Sequence, residues 1–468
     1  MEAAPNLLSV GDVMPGTWVA NDDVNGIFNQ VMEHQEANII DLWTKAEQKI
    51  NPVLASFEAR SEDDGGGRGY ITRVGISTGT SANPSYTLAA AKAASSEAGN
   101  SAITNRWVSL PYELNVIADW TRRAINAARG DGPGEVYDVI ARERESKMVL
   151  ARHRLAVFAV EAGWGRVATI TAAPGTRSFT VSTSEINRFR PGDDVCFSAS
   201  ESTDLLRGHG VSPNAGTASK WTVAGTNPRT GVVTLLGAAD TGSRGTDTLT
   251  TDSVANGDTV FWFGYRQDSA TPTRLCPIGL KGWCPFTDPT GTELTAFQGL
   301  DRTNYWQLTG LRMDASSGVQ LSHAEAFLEM AGLATQYSSE LDAIYTSVAD
   351  YTMLCRNKDA VKLVETQVGQ YKIGYKGVAV LGGPSGDVPI LPDVYIPQGY
   401  AWGGPWNSKE YGCMLKHSRQ LINVDDLDGN EFLRLATSTG FEQRMYFDGA
   451  MIVPGPGKFI ACKGLPTS

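Results

Sequence analysis

The residues best suited to chemistry in this chain lie far apart. The five histidines are His34, His153, His209, His323 and His417. None stands in the HxH, HxxxH or HExxH spacing that turns two imidazoles toward one metal ion. The six cysteines, Cys196, Cys276, Cys284, Cys355, Cys413 and Cys462, include no CxxC pair. Their simplest role is as small, buried, reduced side chains. No serine sits in a GxSxG elbow, and no serine or cysteine has a base close by in sequence. Gly382-Gly-Pro-Ser-Gly386 has the glycines of a phosphate loop without the Lys-Ser/Thr ending that holds phosphate and magnesium. Gly163-Trp-Gly165 begins a dinucleotide fingerprint but follows a helical pattern, the wrong context. Asp193-Asp194 and Asp425-Asp426 could hold a cation or stand solvated in turns. The expectation is no catalytic residue, no cofactor site and no metal site: not an enzyme.

Composition narrows the classes further. A chain of 468 residues exceeds one ordinary core, so two to four lobes are expected. At 41% hydrophobic it has enough apolar mass for packed cores. A net charge of −11 argues against a protein that grips nucleic acid through a basic surface, though not against one that encloses it. The start, MEAAPNLLSVGD, has neither a basic nor an apolar signal-peptide region, and no apolar run nears eighteen residues. Retention in a cytoplasm, with no membrane partner, is the expectation. Fifty glycines imply many bends, and eleven tryptophans suit interfaces.

The elements that would position any site follow from periodicity. Val24, Ile27, Phe28 and Val31 predict a helical arm over 22–60, broken at Asn51-Pro52. A glycine joint at 63–69 comes next. From Val74 to Asn105, 24 of 32 residues are Gly, Ala, Ser, Thr or Asn. Such a segment cannot build a core alone. It is either a linker or, given the β-compatible flanks Tyr70–Ile76 and Ile103–Leu110, a two-stranded ribbon lying on a neighbour. Leu114, Ile117 and Ala124 predict a helix after Pro111. A longer one is predicted from Glu135 to Ala162, about 40 Å long, with a charged face that is solvated or turned to nucleic acid. Residues 166–266 switch to short alternating strands, two of them after the Gly-Asp turns Gly192-Asp193 and Gly257-Asp258. Further on, a helix is predicted over Leu321–Tyr345, a buried strand over Ala349–Leu354 and a helix over Arg356–Val364. Closing strands are predicted at Phe432–Thr437, Phe441–Phe447, Ala450–Val453 and Lys458–Ala461.

One tract stands apart: Gly279 to Gly318, GLKGWCPFTDPTGTELTAFQGLDRTNYWQLTGLRMDASSG. It carries turn glycines, apolar anchors and one acid–base pair, with little regular periodicity. It resembles a segment of the major capsid proteins of tailed bacteriophages, in which a "GL..W" turn precedes an "F.G.DR......L.G" run. The order of parts along the chain is similar too, with weaker motif support at Gly163-Trp-Gly165 and Gly257-Asp258.

The resemblance implies an α+β, HK97-like capsid fold with an inserted β-barrel or sandwich-like domain. It implies an N-terminal arm at 1–64, an extended loop at 65–112 and a peripheral domain with its spine helix at 113–165. The β-rich insertion is 166–266, the joint 267–318, the axial domain 319–410 and the returning strands 411–468. Interface candidates are Asp301 and Arg302, as an ion pair at an interface or joint or as separate intra-subunit bonds, with Tyr86, Leu88, Trp107, Trp283, Trp402 and Trp406. Implied partners are copies of the chain in pentamers and hexamers, weakly held double-stranded DNA, a portal, a separate scaffolding protein and a decoration protein. The implied location is the virion, after assembly in a host cytoplasm. Lys92 is the one lysine placed for a covalent cross-link, and its Ala/Ser surroundings argue against one. Three other readings compete: an encapsulin-like compartment, a carbohydrate-active or carbohydrate-binding β-protein built on exposed Trp402 and Trp406, and a tail or adhesin protein, which repeats or heptads would mark.

Overall fold

The structure is a computed structural model. It describes residues 51–61, 69–77, 103–121, 133–207, 220–236, 249, 254–318, 320–337, 339–356, 378–383, 386–417, 433–434 and 440–467. The arm over 22–50, most of the expected Arg356–Val364 helix, Asp425-Asp426, and Tyr86, Leu88 and Lys92 lie outside the described residues. The chain is mixed α+β, with several sheets and few helices. It divides into two compact units. The smaller comprises Met1–Ala46, Asn115–Lys147 and Val424–Met445, and the larger Glu47–Leu114, Met148–Asn423 and Tyr446–Ser468.

A short helix, Pro52–Ser56, leads into β1 (Glu58–Ser61). β2 (Tyr70–Ser77) and β3 (Ile103–Ser109) form an antiparallel two-stranded sheet, in register from Tyr70↔Ser109 to Gly75↔Thr104, with a shift before Ser77↔Ile103. β4 (Tyr112–Thr121) stands where the sequence predicts a helix. The deciding pattern is period two: Leu114, Val116, Ala118 and Trp120 are buried, while Ile117 is half exposed. A helix face drawn through Leu114 and Ile117 mixes the two sides of a strand. The long helix spans Pro133–Val160, with proline at its start, and 28 residues make it about 42 Å long. Its last six residues, Leu155 to Val160, are buried. Gly163 and Gly165 end it at φ +84° and +75°.

Six strands follow: β5 (Arg166–Thr169), β6 (Ser178–Thr180), β7 (Asp194–Ser198), β8 (Trp221–Asn227), β9 (Val232–Leu235) and β10 (Thr259–Trp262). Their order is β5-β10-β7-β8-β9-β6. Just beyond the two end strands, Ile170 bridges Val181, and the Thr171 N–H donates to the Thr180 carbonyl at 2.9 Å, so the sheet meets itself. Phe179 and Phe197 cross edge to face inside, at 5.3 Å between centroids.

The last part opens with β11 (Leu311–Asp314), the helix His323–Gln336, β12 (Ala343–Ser347) and the helix Val348–Arg356. Then come β13 (Val378–Gly383), β14 (Gly386–Asp393), β15 (Tyr400–Gly404), β16 (Met414–His417), β17 (Leu433–Arg434), β18 (Gly440–Ile452) and β19 (Ile460–Lys463). A mixed sheet runs β11-β19-β15-β12-β14-β13, with the apolar side of the His323–Gln336 helix in its core. In the larger unit β16 pairs β1 in parallel and the end of β18 antiparallel.

Three expectations change here. The helix predicted over Leu321–Tyr345 stops at Gln336, and Ala343–Ser347 is a strand. The Ile-Tyr-Thr run prefers extended backbone, and all five residues of that strand are buried. The strand predicted over Ala349–Leu354 is a helix. Ser347 starts it: its hydroxyl accepts from the Asp350 N–H at 3.0 Å and donates to the Asp350 carboxylate at 2.7 Å. The C-terminal strands predicted at Phe441–Phe447 and Ala450–Val453 are one strand, Gly440–Ile452.

Candidate assembly site

The Gly279–Gly318 tract is built around close backbone approach. A β-carbon on Gly279 would lie 2.0 Å from the Phe158 carbonyl oxygen, inside the last turn of the long helix. Only glycine fits there. The Gly279 N–H donates to the Glu161 carbonyl at 2.9 Å, and a single helical turn, Leu280–Trp283, follows. That turn buries Leu280 and Trp283 completely. The Trp283 indole N–H reaches the carbonyls of Ile278 and Met451, each at 3.0 Å.

Trp283 is one corner of an aromatic triangle. It meets Trp107 at 5.2 Å and Phe297 at 5.1 Å, each at 87° between planes, and Trp107 meets Phe297 at 6.1 Å. Edge-to-face pairs of this kind contribute about 0.5–1.5 kcal/mol beyond burial. Trp107 belongs to β3, and its indole N–H donates to the Pro454 carbonyl at 3.2 Å. The root of the two-stranded ribbon is thus fixed to the tract.

Asp301 and Arg302, neighbours in sequence, act separately. Asp301 is exposed, and hydrogen bonding from the Thr303 side chain and then from its N–H, 2.8 Å from Oδ1, holds its carboxyl below the usual range. Arg302 is 2% exposed and lays its guanidinium 3.1 Å from the centre of the Phe297 ring. Its Nη atoms reach only the Gly282 carbonyl, at 3.3 and 3.4 Å. Among the described residues no carboxylate lies within ion-pair distance of it. Burial pushes its pKa down to about 9. Of the two alternatives the sequence leaves open, separate bonds hold within this chain.

Trp402 and Trp406 are not exposed. Both are buried, and their indole N–H groups donate to the carbonyls of Cys284, at 3.1 Å, and Ala343, at 2.8 Å. Trp107, Trp283, Trp402 and Trp406 therefore serve the interior of the chain, and in this conformation none has ring area free for a neighbour. The exposed aromatic of the tract is Trp306, which meets Tyr337 edge-on at 5.1 Å between centroids.

Sequence reading missed a buried charge cluster at the end of the long helix. Glu161, 1% exposed, accepts from Arg166 and Arg188, each at 2.6 Å. Arg166 also holds Glu185 at 2.6 Å, and Lys281 of the tract stands 3.6 Å from Glu161 and 2.7 Å from Glu201. Burial alone would raise the Glu161 carboxyl, but Arg166, Lys281 and Arg188 hold it down at about 2. Arg188, fully buried, also donates to the carbonyls of Val167, at 2.7 Å, and Tyr395. Beside it His153 bridges the Tyr395 hydroxyl at 2.8 Å and the Arg188 carbonyl at 3.0 Å. Burial, then the charge of Arg190, lowers its pKa to about 3. The available signal was Glu161 itself, a lone acid closing an apolar run.

The sequence features that resemble chemistry have ordinary places. Gly383 ends β13 and pairs with Gly386, which begins β14. Asp193 pairs with Arg154 at 2.6 Å, and Asp194 with Lys220 at 2.7 Å. Five cysteines are buried and Cys355 half-buried, all free thiols. Burial raises Cys196, Cys284 and Cys462 to about 12, far from reactive. Among the described residues no group of three or more His, Cys, Asp or Glu could hold a metal ion, and no helix is long and apolar enough to cross a membrane.

No family model and no curated protein matches the chain. Among solved structures the chain is similar to one of the cyanophage A-1(L) capsid asymmetric unit, at 9% identity and a TM-score of 0.46, covering 90% of this chain and 93% of that one. It is similar to the holo-SrpI encapsulin complex of Synechococcus elongatus PCC 7942, at 8% identity and 0.42, covering 90% of each. The phage G gp27 major capsid protein and gp26 decoration protein structure follows at 8% and 0.34, covering 89% of each. These structural neighbours are shell proteins of phages and of an encapsulin.

Proposed function

We propose that this chain is the major capsid protein of a tailed phage and assembles with its own copies into an icosahedral shell around double-stranded DNA. One observation carries the reading. Most of the residues that give the Gly279–Gly318 tract its resemblance are buried close together: Gly279 lies against the last turn of the long helix, Leu280 and Trp283 are buried beside it, and Trp283, Phe297 and Arg302 lie against Trp107 at the root of a ribbon. A joint of this kind sets angles between parts, which is what a curved lattice needs from its subunit. On this reading the ribbon rooted in β2 and β3 is the extended loop, Pro133–Val160 the spine helix, and the six-stranded sheet of β5–β10 a barrel-like insertion. The sheet from β11 to β19 belongs to the axial domain. The ribbon has little core of its own, which suits a segment covered by a neighbour, and obligate interfaces of about 2,000–5,000 Å² would close the shell cooperatively. A portal, a separate scaffolding protein, a decoration protein and nonspecifically held DNA are the expected partners, and no step requires turnover of a substrate.

Negative-stain microscopy of the purified chain, alone and co-expressed with a scaffold, is the test. Uniform closed shells support the reading. Soluble monomers under every assembly condition sink it, and shells that enclose protein cargo in place of DNA point to an encapsulin-like compartment.

A further inference from the structure

The ribbon is clamped at its root by one strained turn. Phe297 and Leu300 close that turn, with the Leu300 N–H on the Phe297 carbonyl at 2.9 Å. Gln298 inside it has φ +48°, one of two non-glycine residues with positive φ among the described residues. Gly299 follows at +81°. The strain has a visible use: it points the Gln298 carbonyl at β3, where it accepts from the Val108 N–H at 3.1 Å. One residue earlier, Trp107 seats its ring against Phe297 and Trp283. Arg302 then lies over the Phe297 ring, 3.1 Å from its centre and 5.9 Å from that of Trp107, with its backbone N–H on the Leu294 carbonyl at 2.8 Å. On the other strand Gly69 comes so close to Ser109 that a β-carbon would meet its carbonyl at 2.8 Å. The large buried aromatics of the root are Tyr70 and Trp107, while Ile71 next to Tyr70 is 46% exposed.

We infer that the Phe297–Leu300 turn is a latch, bolted by Arg302, that fixes the direction in which the ribbon leaves the subunit. The ribbon then swings only with the joint and does not bend at its own root. A cation held by rings and one carbonyl, with no carboxylate, suits this part: planar contact orders Phe297, and no ion pair ties it elsewhere. The inference rests on the proposed reading only for what the ribbon is for; its geometry belongs to the free subunit.

Hydrogen–deuterium exchange on the full-length unassembled chain tests it. Arg302→Met should speed exchange in 69–77 and 103–110 by about tenfold or more, while the β15–β19 pairing stays within about twofold. Gln298→Gly keeps the carbonyl and relieves the strain, so exchange at Val108 should slow about two- to threefold. Should Arg302→Met not fold, Arg302→Lys keeps the charge and loses the planar contact, and it should loosen the same two segments first. Faster exchange spread evenly over the sheets, or an unchanged root, overturns the latch. Shells play no part in this readout, so the latch can fail while the shell reading stands, and the reverse.

Discussion

Gly279 and Phe158 meet backbone to backbone, close enough that a β-carbon on Gly279 would sit 2.0 Å from the Phe158 carbonyl oxygen and 2.4 Å from that of Ala159. Neither contact can yield, because both oxygens belong to the helix backbone. Gly279→Ala must therefore move the tract off the helix and disturb the Gly279–Glu161 bond. The expected cost is about 3 kcal/mol or more, read as a lower urea midpoint. A variant with an unchanged midpoint would show that the approach is looser than described.

Arg188 is the least exposed member of the charge cluster, and Glu161 depends on it. Replacing Arg188 with Met leaves a buried carboxylate short of one cation and removes the donor that reaches the carbonyls of Val167 and Tyr395. Loss of about 3–5 kcal/mol is expected. Adding Glu161→Gln should recover part of it, with a coupling of about 1 kcal/mol or more in a double-mutant cycle by chemical denaturation. Strict additivity would mean that the two residues act independently.

Acid should weaken the subunit in two stages. His153 is neutral in the fold, with a pKa of about 3 against an ordinary 6.5, and it faces Arg154, Arg188, Arg190, Tyr395 and Trp262. Between those values the unfolded chain binds the proton and the native chain does not, so stability falls as pH drops below about 6.5, by up to ~1.4 kcal/mol per unit. Glu161 adds to the fall between 4.5 and about 2, because its folded pKa lies below its unfolded one. His153→Gln removes the first stage. Thermal melting from pH 7 to 4 should be flatter for this variant than for the parent, and equal slopes would refute the assignment.

Much of this arrangement was legible because it rests on local rules. Pro133 and Gly163 bracket the long helix, Gly-Asp turns precede β7 and β10, and the low-core segment from Val74 to Asn105 begins and ends in paired strands. Where reading failed, a tertiary partner outweighed the local pattern. β4 alternates Leu114, Val116, Ala118 and Trp120 inward, a period hidden by Ile117 and Ala124. Trp402 and Trp406 sit among glycines and look exposed in sequence, yet carbonyls of Cys284 and Ala343, 118 and 63 residues away, hold their indoles inside. The Glu161 cluster draws charges from five separate stretches of chain, and no window of sequence shows such a set.

The ribbon offers a direct test of division of labour. Deleting Ser77–Ser101 removes the low-core part beyond the clamped root and leaves Trp107, Phe297 and Arg302 in place. The expected product is a folded subunit, with a near-native melting transition, that closes no stable shell. Shells of ordinary stability from the deletion variant would remove the extended-loop assignment.

Asp301 separates the subunit from the lattice. Its carboxylate lies in solvent and accepts from the Thr303 N–H two residues on. Arg302 beside it is committed to Phe297 and Gly282, so the acid is not needed to neutralise it. Reversing the charge with Asp301→Lys should leave the urea midpoint of the free subunit almost unchanged, since an exposed turn residue contributes little to the fold. If the exposed charge meets a neighbour, the same variant should fail to form shells, and a compensating acidic substitution on the neighbour's face should restore them, the pattern expected of an interfacial charge. Normal assembly by Asp301→Lys would leave Asp301 as a turn residue alone and move the search for lattice contacts to the exposed Trp306–Tyr337 pair.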